Sequence, residues 1–403
     1  MSLRKALFWT HLAAGCVAGI VILVMSVTGV LLAYERQITA WVDRGFRSAP
    51  PSPGTNRLPI ETLLENVATR NPGLPSAITV RSDPAAPAEV GFGRDHVFLV
   101  DVYTGDVLGE SSPGARSFFQ KVENWHRWLG ASNDHRAAGR AITGACNFAF
   151  LILVVTGPFL WMPRRWSWQN IKNISLFRGG LSGKARDFNW HNVTGIWCAV
   201  PLFLIVLSGV VMSYPWANNL LYRLTGSQAP VPSEAGQRQT KQGGRPRQGE
   251  RARRGEPAPA NAAGLNLLWG RAEQQVPGWR SVTLRFPPSG QGPMTFAIDT
   301  GNGGRPDQRS QLTLDARTGD IVRWEPFASY NAGRRLRGWF RFLHTGEAGG
   351  IAGQTIAGIA SAGGALLVWT GLWLAARRLL RWKKRSRLAP ESADKNQAMT
   401  VSS

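Results

Sequence analysis

The stretch Trp190-His191-Asn192-Val193-Thr194-Gly195 opens an apolar run that ends near Tyr214. It decides the fold because an earlier stretch, Thr10-His11-Leu12-Ala13-Ala14-Gly15, opens a matching run that ends near Tyr34. The offset is constant at 180, which is 191 minus 11. In both runs a glycine follows the histidine by four residues, and a hydroxyl–glycine pair follows it by seventeen, at Thr28-Gly29 and Ser208-Gly209. The pattern indicates two related membrane helices. Each has a potential metal ligand, the histidine, at its start, and a glycine one turn later that leaves room for a planar group beside the histidine.

Four stretches are predicted to span a membrane, at residues 12–34, 141–162, 193–214 and 352–376. Each has more than about 20 mostly apolar residues, which is long enough for a hydrocarbon core of about 30 Å. The first stretch has the length of a retained anchor and lacks the small-residue cleavage site of a signal peptide. All three cysteines fall inside these helices, which excludes a disulfide framework and a CxxC redox motif.

The net charge of +22 is distributed as a topology signal. Basic residues cluster before the first helix, between the second and third, and directly after the fourth, from Arg377 to Arg387. Cytoplasmic loops carry an excess of Lys and Arg, so we expect both termini in the cytoplasm and the two long connections outside. The sequence therefore predicts a multi-pass membrane protein, in contact with membrane lipids and without a nucleic-acid partner.

A second internal match joins each long connection to the helix after it. The turn Asp101-Val102-Tyr103-Thr104-Gly105-Asp106 recurs as Asp315-Ala316-Arg317-Thr318-Gly319-Asp320, at an offset of 214 (315 minus 101). The same offset carries Thr156-Gly157 onto Thr370-Gly371. We therefore predict an α-helical membrane protein with four transmembrane helices in a duplicated arrangement and two small external α+β modules. Repeats in membrane proteins commonly place the functional site between the halves.

The predicted boundaries follow from this duplication. Residues 227–263 are rich in Gln, Gly, Pro and Arg without apolar periodicity, so we expect a disordered external linker there. The segments in chain order are helix 1 with its cytoplasmic end (1–47), the first module (48–124), helix 2 (125–163), a cytoplasmic loop (164–188), helix 3 (189–216), an external segment with the linker (217–263), the second module (264–338), helix 4 (339–377) and a basic cytoplasmic tail (378–403).

Four of the six histidines form two predicted pairs, one at each membrane face. His11 and His191 lie at the cytoplasmic ends of helices 1 and 3, whereas His126 and His344 lie just outside helices 2 and 4. Ionisable residues at membrane helices are costly to place and are functional by default. The alternative is that these histidines anchor helices in the headgroup region. The arrangement of one pair at each membrane face of a duplicated scaffold favours a functional role over anchoring.

Two imidazoles at each face suit the iron of a haem better than zinc, which usually gathers three or four protein ligands. The chain has no CxxCH motif, which excludes covalent c-type attachment. We therefore predict two haems b, with Gly15 and Gly195 giving space beside the inner one. Arg127 and Arg341 are predicted to bind haem propionates, because Arg binds carboxylates in bidentate fashion.

The outer pair is out of strict register. By the offset of 214, His126 matches Phe340 and His344 matches Gly130. The two histidines therefore differ by four positions, which is one turn on the same face if the helix continues outward.

These features resemble the PepSY-associated transmembrane family, whose members include inner-membrane ferric-siderophore reductases. The resemblance covers nearly the whole chain. It is carried by His11 and His191 with their glycines, the paired Asp-x-x-Thr-Gly-Asp turns, Leu343-His344-Thr345-Gly346-Glu347 and His126-Arg127. It implies two external PepSY modules and b-type haems used to reduce iron. Some relatives carry a fused flavin-binding domain, but only a short basic tail follows helix 4 here. We therefore expect a separate electron donor, such as a flavin reductase or a quinol.

Three functions compete. The first is a haem-dependent ferric-siderophore reductase, which carries electrons from the cytoplasm or the membrane to a ferric siderophore outside. The second is a PepSY-bearing membrane anchor, without redox activity, that regulates an extracytoplasmic partner such as a peptidase. A metal or siderophore permease ranks last, because the helices lack the broken, polar-lined midplane of a carrier. A visible spectrum separates the first function from the others.

Overall fold

The computed structural model describes residues 2–400 apart from 53, 72, 94–95, 164, 231–263 and 288–291. The α-helices of these residues are α1 (Leu3–Leu32), α2 (Glu35–Val42), α3 (Ile60–Arg70), α4 (Pro113–Trp128), α5 (Arg136–Trp161), α6 (Trp168–Ser175), α7 (Gly183–Ser213), α8 (Pro215–Leu224), α9 (Leu265–Gln275), α10 (Ala332–His344) and α11 (Gly350–Thr400). The strands are β1 (Ala77–Arg81), β2 (Ala88–Phe92), β3 (His96–Val100), β4 (Val107–Glu110), β5 (Ser281–Arg285), β6 (Met294–Asp299), β7 (Arg309–Leu314) and β8 (Ile321–Pro326).

Within the described residues, four helices are long and apolar enough to cross a membrane, which confirms the predicted spans. They cover Leu3–Leu32, Asn133–Trp161, Gly183–Ser213 and Glu347–Arg381. In the resulting bundle, α1 and α7 each pack against both α5 and α11, so that α1 lies diagonally opposite α7. Large apolar side chains line the outside of the bundle, where acyl chains can cover them; Val17, Ile20 and Val200 are examples.

Small residues let the bundle helices approach closely, as is usual for helices that associate in lipid. A Cβ at Gly19 of α1 would lie 3.1 Å from Leu372 of α11, and one at Gly364 would lie 3.0 Å from the Ser26 hydroxyl. Around these contacts lies a buried core that includes Ile22, Phe150, Leu202 and Val206.

The short helices α4 and α10 are separate from the spans that follow them. The sequence predicts that helices 2 and 4 begin at residues 125 and 339 and continue outward, and this is wrong. α4 ends because Leu129 and Gly130 adopt left-handed conformations, with φ of 54° and 76°. α10 ends at His344, shortly before Gly346 with φ of 74°. The first span then packs Gly139 against the Trp128 carbonyl, and the second packs Gly353 against the Gly346 carbonyl, without room for a Cβ at either glycine.

All eight strands form one antiparallel sheet in the order β4-β3-β2-β1-β5-β6-β7-β8. The sequence predicts two modules, each with its own strands; here their strands merge, because β1 and β5 pair along their whole lengths. Thr79 lies opposite Thr283 at the centre of this seam, with their hydroxyl oxygens 2.9 Å apart. Helices α3 and α9 pack on the sheet through residues such as Leu63 and Leu268. The strands β4 and β8 complete the two meanders at the outer edges of the sheet.

The two Asp-x-x-Thr-Gly-Asp turns have the same conformation, and each closes a hairpin. The Gly105 N–H donates to the Asp101 carbonyl at 3.0 Å, and the Gly319 N–H donates to the Asp315 carbonyl at 2.9 Å. The Asp315 carboxylate also accepts from the backbone N–H groups of Thr318 and Arg317, which lowers the pKa of that carboxyl. A bulge follows in each ladder, at Leu99/Val100 and at Thr313/Leu314.

The sheet sits at one end of the bundle, which we call the sheet end; the starts of α1 and α7 form the distal end. The Asp43 carboxylate, just after α2, accepts hydrogen bonds from Ser111 and Ser112 beside β4. Arg36 of α2 donates to the carbonyl of Asn302 in the β6–β7 loop at 2.5 Å.

The predicted linker, 227–263, lies outside the described residues from position 231 onward. The segment predicted as a basic tail, 378–403, is helical as far as Thr400, because α11 continues through it. The spans also begin earlier than predicted, at Leu3 in α1 and at Gly183 in α7.

Candidate functional site

At the distal end the structure brings His11 and His191 together. They come from the diagonally opposed helices α1 and α7, and their ring centroids are 6.5 Å apart with the ring planes at 81°. Although α1 and α7 lie diagonally opposite each other, the two imidazoles meet between the helices at this end of the bundle.

Threonines on the other two helices hold these rings. The His11 Nδ1 lies 2.8 Å from the Thr156 hydroxyl on α5, and the His191 Nδ1 lies 2.9 Å from the Thr370 hydroxyl on α11. Each threonine already donates its only hydroxyl proton to the backbone carbonyl four residues earlier, at 2.7 Å. A hydroxyl has one donor, so these oxygens accept from an Nδ1–H. Both histidines therefore carry their proton on Nδ1 and leave the Nε2 lone pair free.

The sheet end repeats this arrangement with the roles of the helices exchanged. His126 of α4 and His344 of α10 have ring centroids 6.2 Å apart, with the ring planes at 67°. The predicted explanation of their register, one turn of a continuous helix, is wrong, because α4 and α10 are separate helices. The structure nevertheless places the two rings together.

The hydroxyls at the sheet end come from α1 and α7. Thr28 lies 2.9 Å from the His126 Nδ1 and donates to the Val24 carbonyl. Ser208 lies 3.1 Å from the His344 Nδ1, which also lies 2.8 Å from the Ile205 carbonyl. A carbonyl only accepts, so the His344 Nδ1 must be protonated. All four histidines thus present Nε2 as the free nitrogen.

A glycine follows each of the four hydroxyl residues, and three of these glycines lie against a histidine ring. A Cβ at Gly371 would lie 3.3 Å from the His191 Cε1. A Cβ at Gly29 would lie 3.6 Å from the His126 Cε1, and one at Gly157 would lie 3.9 Å from the His11 Cε1. Gly209 instead faces Asn147. The predicted glycines Gly15 and Gly195 have a different environment. A Cβ at Gly15 would meet Leu153 at 3.8 Å, and one at Gly195 would meet Leu367 at 3.6 Å.

The spacing of each pair fits one six-coordinate metal ion between the rings. Metal–imidazole bonds are about 2.0–2.1 Å long, and a ring centroid lies about 1.2 Å behind its nitrogen, so two opposed ligands give centroids about 6.4 Å apart. The observed separations are 6.5 and 6.2 Å. Within the described residues, no group of three or more His, Cys, Asp or Glu side chains is placed to hold a metal ion. The described residues therefore do not offer the three or four protein ligands that zinc usually gathers, whereas a haem iron needs only the two imidazoles of one pair.

Residues 8–378 match the family model of the PepSY-associated TM region, a range that contains all four histidines and their hydroxyl partners. The chain belongs to this family. No curated protein matches it. The PepSY-associated chain is thus a multi-pass membrane protein, mostly helical, with a small antiparallel sheet at one end of the bundle.

The two predicted arginines of this PepSY-associated protein lie near the sheet-end pair. Arg127 donates to Glu123 at 2.6 Å and stacks on Trp128 at 4.5 Å. Arg341 stacks on Phe342 at 4.9 Å. Partial burial lowers the pKa of Arg341; Glu347 acts in the opposite sense, and Arg309 adds to the lowering.

The sequence did not assign a role to the residues that orient the histidines. Thr28, Thr156, Ser208 and Thr370 were visible only as marks of the two repeats. Their signal was the hydroxyl–glycine pair that recurs once in each spanning helix, 17 residues after His11 and His191 in two of the four cases. The sequence also gave no role to Asp187, which lies four residues before His191.

Proposed function

We propose that this membrane protein is a di-haem electron conduit that reduces ferric iron in a siderophore. The distal pair, His11 and His191, would hold one haem b, and the sheet-end pair, His126 and His344, the other. A haem held by either pair would supply one-electron redox chemistry at that end of the bundle. The sheet side is then the periplasmic side, and the distal end and both termini are cytoplasmic, as the positions of the basic clusters favour.

The observation that carries this proposal is the repeated Nδ1–hydroxyl bond. A ligating histidine usually donates its other ring N–H to a second group, which fixes the tautomer and the ring orientation. Here four hydroxyls do this for four histidines, in two pairs with matching ring separations. Residues that merely anchor helices at a headgroup region have no need of this arrangement, nor of rings that meet across the bundle.

The chain also sets the distance between the two stations. His11 and Thr28 are 17 residues apart on α1, and His191 and Ser208 are 17 residues apart on α7. At 1.5 Å per residue this places the pairs about 26 Å apart along the bundle, close to the thickness of a hydrocarbon core. Each pair therefore lies near one face of the membrane, where it can meet a soluble or headgroup-level partner.

Reduction of ferric iron weakens its chelate, because hard oxygen ligands hold ferrous iron less tightly. Arg127 and Arg341, near the sheet-end pair, supply positive charge for haem propionates or for an anionic chelate. The competing proposal of a regulatory anchor needs neither the histidine pairs nor their hydroxyls, and no feature of the described residues favours it.

Reoxidation of the purified protein tests the proposal. The protein is reduced with dithionite, a ferric hydroxamate siderophore is added, and the haem absorption is followed. Dithionite reaches the sheet-end station directly, so the His191→Ala variant should be reoxidised as fast as the parent, whereas the His344→Ala variant should not. Equal reoxidation of both variants would contradict two separate stations. Purified protein without any haem absorption would overturn the proposal and favour the anchor.

A further inference from the structure

A pocket of roughly 240 Å³ lies at the distal end between α7 and α11. It is lined by Arg186, Asp187, Trp369, Thr370, Trp373 and Arg377. Thr370 is the residue whose hydroxyl holds the His191 ring at 2.9 Å. The pocket therefore adjoins the distal histidine pair, with one side chain between them.

Asp187 brings an unsatisfied acceptor into this pocket. The residue is 5 % exposed, and its Oδ1 accepts from Arg186 at 3.0 and 3.2 Å. Its Oδ2 is buried without a hydrogen-bond partner among the described residues, and the nearest cation, the Arg377 guanidinium, is 3.6 Å away. Leaving a buried carboxylate oxygen unsatisfied is costly, and such a group points to a ligand that donates a hydrogen bond.

Asp187 also has the right position relative to His191. The two residues are four apart on α7, so they lie on the same face of the helix, about 6 Å apart along its axis. A ligand that donates to Asp187 thus lies within one helical turn of the distal pair.

The other half of the chain has no counterpart of this pocket. Subtracting the repeat offsets of 180 and 214 carries Asp187 onto Leu7, Trp369 onto Val155, Trp373 onto Phe159 and Arg377 onto Pro163. The hydroxyl partner of the histidine is kept at Thr156, whereas the carboxylate, the indoles and the guanidinium are not. The pocket is therefore an addition to the scaffold that supports the histidines.

We propose that this pocket binds and oxidises a membrane quinol, an inference that rests on the proposed function and names its electron donor. A quinol presents one aromatic ring and hydroxyl donors. An engineered cavity of about 150 Å³ holds one benzene, so this pocket has room for a single substituted aromatic ring. Trp369 and Trp373 offer ring faces, and they are 66 % and 49 % exposed on the bundle surface. A quinol can therefore enter from the bilayer and leave its tail there.

The balance of the reaction is simple. Each quinol gives up two electrons and two hydroxyl protons and leaves as a quinone. The electrons pass singly to the distal redox centre of the proposed function, and two ferric chelates each gain one electron. The hydroxyl that donates to Asp187 transfers its proton to that carboxylate, and both protons reach water at the distal face. Arg186 holds the carboxylate in place through its Oδ1, and the Arg377 guanidinium lies 3.6 Å from its Oδ2.

The test uses the full-length, haem-loaded protein in nanodiscs, with tetramethylbenzoquinol as the probe. We expect the rate of haem reduction by this quinol to fall about tenfold or more in Asp187→Asn and in Trp369→Ala, the loss expected when a hydrogen bond to a charged group or an aromatic contact is removed. Trp166→Ala is the matched control, since Trp166 is also 66 % exposed but lies outside the pocket. Its rate should stay within about twofold of the parent. If Asp187→Asn does not fold, Trp369→Ala still decides.

A second readout does not depend on turnover. An azido-benzoquinone, activated by light, should label the segment 369–377, and excess tetramethylbenzoquinone should suppress that labelling. The quinol site would be overturned if the label appeared elsewhere, or if both pocket variants were reduced by the quinol as fast as the parent. It would also be overturned if dihydroflavin reduced the parent protein but neither pocket variant. Failure of the proposed function looks different: the parent protein would then lack haem, or would not be reoxidised by a ferric chelate after dithionite.

Discussion

The direction of a single hydroxyl proton determines which nitrogen each histidine offers. Thr370 donates its proton to the Leu366 carbonyl at 2.7 Å, so its oxygen must accept from the His191 Nδ1. Without that acceptor the ring could adopt the other tautomer or turn away from the bundle centre. The same reasoning applies to Thr156, Thr28 and Ser208, so each hydroxyl fixes the tautomer and the orientation of one histidine.

Removing one hydroxyl should therefore weaken haem binding at one station. We expect Thr370→Val to lower haem affinity at the distal pair by about tenfold or more, as loss of an orienting group does in other metal sites. Thr370→Ser should restore most of it, because it keeps the hydroxyl. Affinity is measured by competition with apomyoglobin.

Thr194 provides the control for this prediction. It is a buried threonine in the same bundle, but its hydroxyl has no hydrogen-bond partner among the described residues. Thr194→Val should leave both haems bound as in the parent. If Thr194→Val and Thr370→Val lose haem equally, the hydroxyl of Thr370 has no orienting role.

The short helices α4 and α10 explain how two histidines out of register meet. Each helix breaks before the membrane span, so its histidine is carried on an independent element rather than on the span itself. Contacts between backbones then fix these elements: Gly139 packs on the Trp128 carbonyl and Gly353 on the Gly346 carbonyl. The two glycines correspond at the offset of 214, so both halves use the same device.

A side chain at Gly139 should displace α4 and with it His126. The new Cβ of Gly139→Ala would meet the backbone of Trp128, which cannot move aside as a side chain would. Overpacking of this kind costs about 1–3 kcal/mol. We expect the variant to keep the distal haem and lose the other, which a pyridine haemochrome assay reads as about half the parent content. Gly114→Ala on the first turn of α4, where a Cβ meets no atom within 4 Å, should change nothing. Two haems in Gly139→Ala would contradict this role.

The spans were predictable because apolar length alone specifies them. That His11 and His191 lie at the same end of the bundle was predictable because they occupy matching positions in the two repeats. The breaks after α4 and α10 were not. Leu129 adopts a positive φ that its residue type gives no reason to expect. The β1–β5 seam was equally hidden, since it joins residues such as Thr79 and Thr283 that are far apart in sequence. The role of Asp187 could not be predicted, because it depends on the pocket around the residue and on an Oδ2 that has no hydrogen-bond partner among the described residues.

The molecule as a whole is built around a local two-fold relation. Helices α1 and α7 each carry a histidine of one pair at one end and a hydroxyl that contacts the other pair at the opposite end, and β1 pairs with β5 at the middle of a single sheet. Glu61 of α3 accepts from the backbone N–H groups of Leu265 and Asn266 at the start of α9, so the helices of the two modules are joined as well. The sheet thus ties the two halves together above the sheet-end histidines.

Cysteines across the seam test this joining of the halves. In a background in which Cys16, Cys146 and Cys198 are replaced by Ala, Thr79→Cys with Thr283→Cys should form a disulfide under mild oxidation, because directly opposed strand residues have Cβ atoms about 4.5–5.5 Å apart. Mass spectrometry of the linked peptides reads the result. Thr79→Cys with Thr313→Cys, three strands away at about 14 Å, should stay reduced. Linkage in the second pair but not in the first would contradict the observed sheet.

The haem content of the purified protein and its histidine variants tests the di-haem account most directly. The account predicts two haems b per chain in the parent, one in His191→Ala, one in His344→Ala and none in the double variant, each extractable by acid acetone because no covalent attachment motif is present. Contents that do not fall in the two single variants, or a parent protein that binds no haem, would contradict it.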